Sequence, residues 1–518
     1  MSKANVLNSN YLWWSFNFTS KNPLSTPLVN KMIYILAAID SNKKNKFNNV
    51  NSLNFSSGQK ETLSKYLGNS ENFFLYFKNV LYKILKIIFD FTKCIFSIIH
   101  IYIYFLNKSV LNKKHNILLL TFIDGTNRKK RDPYFGNLLD LIEKENPNKS
   151  IGYIYYLYKP FSKMSKILKE EKKSHDYIFS YLKTSDFLWC IIQIFKVYFI
   201  KFKEPKFLYK NQIISFKKIV KETILDEISK GVIENLLLFR ACKRLRLNKS
   251  LEKIIYPFEN KPLEKLLLIS LSNKIRTVGY QHSSITRRHL SYLLSKEEIN
   301  ITPLPHKIVT LGKITQKWLV NEGNFPSQKI HQGVALRSFY CKSIIKKSFN
   351  PKKAKLLFIF SSSLTEVIKT VELLREIPNS QSFIYKFRFH VNFPMRLLEK
   401  NIKNWINEKV HYISTDNLYN EFKWADISLY VSSSAALESL LCCVPVIRLD
   451  IDKFNSDPFL NLEPSLKNEV KSSKDLIQSI FKISNFSDHR RNKMASESKK
   501  LLEHYMVPQE KFNSKMFL

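Results

Sequence analysis

Between Lys355 and Leu449 the chain repeats a single alternation of short apolar runs and helix-forming runs. Strands are predicted at Lys355–Phe360, Ser382–Phe389, Val410–Ser414, Ile427–Val431 and Val444–Leu449, with helices Thr365–Glu376, Met395–Asn407, Leu418–Lys423 and Ala435–Leu441 between them. Parallel strands need long crossovers, so this pattern specifies a doubly wound parallel sheet covered on both faces. In such a sheet, ligands bind beyond the carboxyl ends of the strands.

The preceding half carries a looser version of the same pattern. Strands are predicted at Asn116–Phe122, Ile151–Leu157, Lys253–Tyr256 and Arg276–Tyr280, and helices at Phe135–Glu145, Asp186–Ile200, Ile214–Leu247 and Pro262–Ser272. Pro303, Pro305 and His306 mark a boundary near residue 300, and Lys307–Leu311 opens the second run. The expected organisation is an extension over 1–115, a first domain over 116–300, a second over 301–490 and a tail over 491–518. The expected fold class is α/β, with two Rossmann-like doubly wound domains facing a cleft and a helical N-terminal extension.

Composition narrows the chemistry. Gly333 is the last of only ten glycines in 518 residues, and neither a phosphate-loop nor a G-x-G-x-x-G dinucleotide pattern can be written anywhere. Lys and Arg number 83 against 43 Asp and Glu, a formal charge of +40. The surplus of Lys, Asn, Ile, Phe and Tyr resembles compositional drift in an AT-rich genome, yet a surface this positive favours anionic partners: phospholipid headgroups, nucleotide diphosphates or nucleic acid. The basic runs Arg128–Arg131 and Arg240–Arg246 lack interleaved aromatic residues and read as solvated or membrane-facing surface, so no nucleic acid is expected.

The six cysteines show no paired C-x-x-C spacing, which argues against a zinc site or disulfide scaffold and fits a reducing cytoplasm. The N-terminus lacks the charged-then-apolar order of a secretory signal. In the extension a helix is expected at Leu28–Ile39, followed by a polar, flexible run at Asp40–Lys60. Residues 73–106 are apolar and aromatic, interrupted by Lys83, Lys86, Asp90 and Lys93. Three placements are open for them: helices in a membrane interface, a buried core helix, or a span from about Ile84 to Leu106.

The residues best suited to chemistry sit at predicted strand ends. Ser432, Ser433 and Ser434 end a strand, and Glu438 lies one turn into the following helix. Hydroxyls and backbone N–H groups there can hold a phosphate without glycine, and Glu438 can accept both hydroxyls of a ribose. Helix capping by Ser434 is the plain alternative, but Glu438 is one residue too far for a capping box. Upstream, Lys386, Arg388 and His390 place cations and an imidazole where a diphosphate leaving group could be neutralised. In the first domain Glu259, His282, Asp124 and Asp132 are candidates to activate or bind an acceptor hydroxyl. Glu259, just before Pro262, could instead cap a helix. Asp450-Ile451-Asp452 spells a D-x-D metal pattern but trails a strand of a doubly wound domain; it reads as a solvated loop, and no essential metal is expected.

The string Ser432–Ser439 with Pro445 resembles the nucleotide-sugar half of GT-B glycosyltransferases. Lys386–His390 with Pro394 resembles the K/R-x-H-P element of capsule-type and polyglycerol-phosphate-type transferases, although Val391 stands where proline is usual. The segments Glu259–Glu264 and Gly279–His282 resemble the E-N-x-x-W-E and G-Y-Q-H elements of a bacterial surface-carbohydrate biosynthesis family linked to O-antigen and capsule assembly, with Leu263 at the tryptophan position. Asp132–Gly136, Leu304–Gly312, Gly333–Arg337 and the string Trp13–Pro23 are further points of resemblance.

This resemblance implies a metal-independent GT-B glycosyltransferase with no cofactor beyond its nucleotide-sugar substrate. It would act on a glycan or lipid-linked acceptor at the cytoplasmic face of the inner membrane, with peripheral membrane contact. Lys386, Arg388, His390, Ser432–Ser434 and Glu438 would bind the donor, His282 and Glu259 would be catalytic, and Asp124 and Asp132 would bind the acceptor. A CDP-alcohol phosphotransferase and a non-catalytic carbohydrate- or nucleic-acid-binding protein are the alternatives.

Overall fold

Two six-stranded sheets, each parallel throughout, organise the chain. The structure is a computed structural model and describes residues 11–21, 28–45, 55–67, 85, 88–99, 101–103, 115–123, 132–157, 176–198, 206–209, 211–337, 343–344, 349–390, 393–414, 416–451 and 456–518. The first sheet runs β2-β1-β5-β6-β7-β8, comprising β1 (Ile117–Ile123), β2 (Ile151–Leu157), β5 (Lys253–Pro257), β6 (Arg276–Tyr280), β7 (Lys307–Thr310) and β8 (Ile330–Gln332). The second runs β11-β10-β9-β12-β13-β14, comprising β9 (Lys355–Ile359), β10 (Ile384–Arg388), β11 (Tyr412–Ile413), β12 (Ile427–Tyr430), β13 (Val446–Leu449) and β14 (Lys467–Val470). The remaining strands, β3 (Lys206–Tyr209) and β4 (Gln212–Ser215), form an antiparallel hairpin.

The strand order of the second sheet reverses direction between β9 and β12, and that of the first between β1 and β5. At each reversal the connections on the two sides wind away from one another and leave a crevice at the carboxyl ends. Central strands β5, β12 and β13 are buried along their whole length, as helices on both faces require. This is the two-lobed Rossmann-like α/β architecture expected from the alternation.

Several boundaries differ from expectation. Strand β7 pairs with β6 and β8 with β7, so the first lobe extends through the 300 region, and the chain passes to the second lobe only between Arg337 and Phe349. Pro303 and Pro305 mark a loop inside one lobe. The helix expected over Ile214–Leu247 begins as β4, then divides into helices Lys217–Glu227 and Ile233–Leu245 around a π-helical turn containing Gly231 at φ +105°. The polar run after Asp40 is helical through Asn45, and a further helix spans Ser57–Leu67.

The extension is packed onto the first lobe. Lys265 donates to the Thr19 carbonyl at 2.8 Å beneath the Trp14 ring, Asn235 donates to the Ser15 carbonyl at 2.8 Å, and Lys21 pairs with Glu298 at 2.9 Å. Helical residues 88–99 and 101–103 bury Cys94, Ile98 and Ile101 in the same core. Among the described residues no helix is long and apolar enough to cross a membrane. At the other end, helix Asp488–Glu503 packs on the second lobe, and the chain then returns to the first. Ala335 donates to the Val507 carbonyl at 2.8 Å, Val507 to the Leu311 carbonyl at 2.9 Å, and Phe517 meets the Tyr280 ring at 5.6 Å.

Candidate active site

The turn after β5 is held by Glu264 rather than by the acid that precedes it. The buried Glu264 carboxylate accepts from the backbone N–H of Glu259 at 2.9 and 3.0 Å and from that of Asn260 at 2.9 Å. Asn260 takes the left-handed conformation at φ +55° and donates its amide to the Ser291 carbonyl at 2.7 Å. Pro262 then starts the helix Pro262–Leu271, where its missing N–H costs nothing. Burial, and then the neighbouring Glu259 charge, push the Glu264 carboxyl up to about 8. Glu259 is therefore not the helix cap, and its side chain turns elsewhere.

It turns toward the loop after β6. Glu259 pairs with Lys261, and one carboxylate oxygen lies 3.5 Å from Nε2 of His282. Burial alone would raise the Glu259 carboxyl, but Lys261, His282 and His289 outweigh it and hold it at about 2. His282 is the more enclosed partner, its side chain 3% exposed against 28% for Glu259. Burial drives its imidazole down to about 3, so it is neutral. Its Nδ1 is buried without a well-formed hydrogen bond among the described residues. Burial also lowers His289, whose Nδ1 accepts from the Thr286 N–H at 2.9 Å.

Tyr134 covers this pair, its ring edge-on to His282 at 5.0 Å. The loop that presents Tyr134 is built by Asp132, whose carboxylate accepts from Thr121 Oγ1 at 2.6 Å and from the N–H groups of Tyr134 and Phe135 at 2.7 and 2.9 Å. The structure places Asp132, expected to bind acceptor, in the scaffold of this loop. Asp124 lies outside the described residues.

Arg337, which sequence reasoning cited only within a point of resemblance, stands at the junction of the lobes. Its guanidinium lies 5.9 Å from the Tyr134 ring centre. The Tyr280 hydroxyl fixes the backbone below it, donating to the Val334 carbonyl and accepting from the Leu336 N–H, both at 2.9 Å. Its charge is felt on both sides, disfavouring protonation of His282 in the first lobe and favouring ionisation of Glu438 in the second. Arg288 acts similarly on Glu366 of the second lobe.

In the second lobe, burial raises the Glu438 carboxyl, opposed by Arg337 and then Arg388. Ser434 stands at the N-cap of helix Ala435–Leu441, but its hydroxyl makes no capping bond. Ser432 donates to the buried Glu366 carboxylate, which also accepts from Ser361 Oγ at 2.8 Å. Glu366 was missed in the sequence because the helix Leu364–Arg375 begins with an N-cap serine, Ser363, and its acid reads as an ordinary first-turn residue.

Arg388 lies at the carboxyl end of β10, its guanidinium donating to the Asp416 carbonyl, and His390 is exposed just beyond. Lys386 does not join them. It pairs with Glu421 at 3.1 Å under the Trp424 ring, 4.1 Å from its centre, and the structure does not bring it together with the other residues expected to bind the donor. Of the D-x-D pair, Asp450 is bound by Arg448 at 3.1 Å and Asp452 lies outside the described residues.

The structure thus brings Glu259, His282, Tyr134 and Arg337 into one row. Glu438 and Arg388 lie across the junction within electrostatic reach of Arg337 or one another. Carboxylates, cations and serine hydroxyls at the carboxyl ends of two facing sheets can hold a diphosphate and a polyhydroxylated group together.

No protein-family model matches the sequence, and no curated protein is significantly similar to it. Among solved structures, the chain is similar to Anabaena HepE in complex with UDP and glucose, at 10% identity over 76% of this chain and 95% of that one, with a TM-score of 0.39. It is similar to the UDP-GlcNAc 2-epimerase of Neisseria meningitidis bound to UDP-GlcNAc, at 12% identity over 75% and 98%, with a TM-score of 0.43. It is also similar to the wall teichoic acid polymerase TagF, at 9% identity over 85% and 96%, with a TM-score of 0.37.

Proposed function

We propose that this protein is a glycosyltransferase that moves a sugar from a nucleotide-sugar donor to a glycan or lipid-linked acceptor of cell-surface polysaccharide assembly, presented at the cytoplasmic face of a membrane. One observation carries the reading. The Glu438 carboxyl and the Arg388 cation lie on the second-lobe side of the junction that the Glu259–His282 pair faces from the first, with Arg337 at the junction acting on both Glu438 and His282.

In this reading Glu438 accepts hydrogen bonds from the donor ribose, while Ser432–Ser434, Arg388 and His390 surround the diphosphate. The acceptor hydroxyl attacks the anomeric carbon as the bond from that carbon to the diphosphate oxygen breaks. The cations offset the charge that collects on the departing diphosphate. Glu259, held at about 2, is ionised but weakly basic. It accepts a hydrogen bond from the acceptor hydroxyl and takes its proton late, once bond formation has made that hydroxyl acidic. Neutral His282 fixes the orientation of Glu259. Approach of the two lobes excludes water that would otherwise hydrolyse the donor.

Calorimetric titration of the full chain with UDP, GDP, CMP and CDP tests this. One nucleotide should bind at micromolar to millimolar affinity, and Glu438→Ala should weaken it by roughly tenfold to a hundredfold, the loss of a charged hydrogen-bond acceptor. Absence of binding by all four would refute the reading. Transfer from CDP-glycerol but from no nucleotide sugar would move the protein to the phosphotransferase class.

A further inference from the structure

The helical side of the first lobe presents apolar residues in a quantity that a water-facing surface does not explain. Residues 88–99 and 101–103 bury Cys94, Ile98 and Ile101 on one face, while the opposite face carries Phe89 at 68% exposure and Phe96 at 69%, with Ile99 and Ile103 continuing at helical spacing. A surface helix of a globular protein is polar on its outer side; this one is apolar on both.

The helix Thr184–Tyr198 repeats the arrangement. It buries Phe187, Cys190, Ile194 and Val197 and exposes Leu188, Ile192 and Phe195 along the other side. The two helices adjoin, with the Phe91 and Phe195 rings 4.7 Å apart, so their outward stripes belong to one surface. The β3–β4 hairpin follows that helix in the chain and opposes Leu208 to Ile213, both exposed. Its Tyr209 hydroxyl donates to Asp40 at 2.7 Å, tying it to the helix Leu28–Asn45, which exposes Ile33 and Tyr34.

Charge identifies the occupant. Exposed Lys93 lies one turn from both Phe89 and Phe96, and exposed Lys196 one turn from Ile192. Lysines interleaved with an outward apolar stripe can set their methylene stems along hydrocarbon and their ammonium groups among phosphates. A protein partner would leave these lysines to be desolvated, whereas anionic headgroups neutralise them at the depth where the stems end. The chain's net charge of +40 acts in the same direction.

We infer that this face, formed by residues 88–99 and 101–103 and the helix Thr184–Tyr198, seats in the headgroup–acyl boundary of an anionic phospholipid bilayer. The inference is independent of sugar transfer: it concerns a surface of the first lobe, and nucleotide binding tests the other reading separately.

Co-sedimentation of the full chain with phosphatidylcholine vesicles, with and without phosphatidylglycerol, provides the test. Wild-type protein should bind the anionic vesicles and bind them less as salt rises. Phe96→Glu with Ile192→Glu should reduce binding by roughly tenfold or more, as should Phe89→Glu with Leu188→Glu on the same two helices. These residues are exposed, so both variants should keep the wild-type thermal transition; should one fail to fold, the other decides. Wild-type protein left in the supernatant, binding indifferent to phosphatidylglycerol, or folded variants that bind like wild type would overturn the inference. So would a stable dimer that the same substitutions dissociate, since a second copy would then be the occupant.

Discussion

Glu259 and His282 show how two polar residues from separate strand ends acquire properties that neither has alone. The sequence marks both as polar groups at the ends of apolar runs, and the structure brings them to 3.5 Å. Their protonation is not legible there, because it is set by burial and by Lys261, His289 and Arg337 from three further positions. The His282 imidazole is held at about 3, against an ordinary 6.5, chiefly by burial. The unfolded chain therefore takes up this proton first as pH falls. The contribution to stability is complete above 6.5 and is lost as pH drops toward 3. His282→Gln should flatten that limb of the stability curve in urea titrations at successive pH values; a curve as steep as wild type would contradict the burial. Arg337→Ala should weaken nucleoside diphosphate binding by about 1.5–3 kcal/mol while leaving the bare nucleoside unaffected, the loss expected of a charge-assisted contact. Equal losses for both ligands would place Arg337 away from the phosphates.

Elements were legible where the local pattern alone determines them. β2 and β6 and the helix Ala435–Leu441 occupy the predicted residues, because each is a run of one period bounded by breakers. β8 and β14 were not found. They are short edge strands reading Ile-His-Gln and Lys-Asn-Glu-Val, and an edge needs no apolar run to be buried on both faces. The long basic helix was misjudged because a π turn preserves apolar spacing closely enough to look continuous. Gly136, in contrast, is an element-scale requirement that can be tested. It sits at φ +58°, and a Cβ there would lie 2.3 Å from the Leu336 carbonyl oxygen. Gly136→Ala should cost at least about 1 kcal/mol from the backbone alone. It should also displace the segment bearing Arg337, lowering both the thermal transition and nucleotide affinity. A variant that melts and binds like wild type would show that this close approach does not constrain the site.

At the scale of the whole molecule, the two lobes follow from sequence alternation, but their division does not. Pro303 and Pro305 look like a boundary and are a loop between paired strands, since local breakers cannot reveal which strands later pair. The return of the final residues to the first lobe was equally hidden, because Tyr505, Val507 and Phe517 are only scattered apolar residues until the fold provides their partners. Deleting residues 504–518 removes three buried apolar side chains, Tyr505, Val507 and Phe517, worth roughly 1.5–3 kcal/mol each. It should lower the melting temperature by many degrees, and a truncated chain that melts unchanged would show the return to be superficial. The polypeptide therefore crosses between lobes twice, once after Arg337 and once after Glu503. A body tethered at two points swings about the line joining them and resists twisting about any other. Whatever opening admits a ligand is in effect a one-dimensional motion, and the order in which groups on the two walls meet is fixed by where the pivots lie.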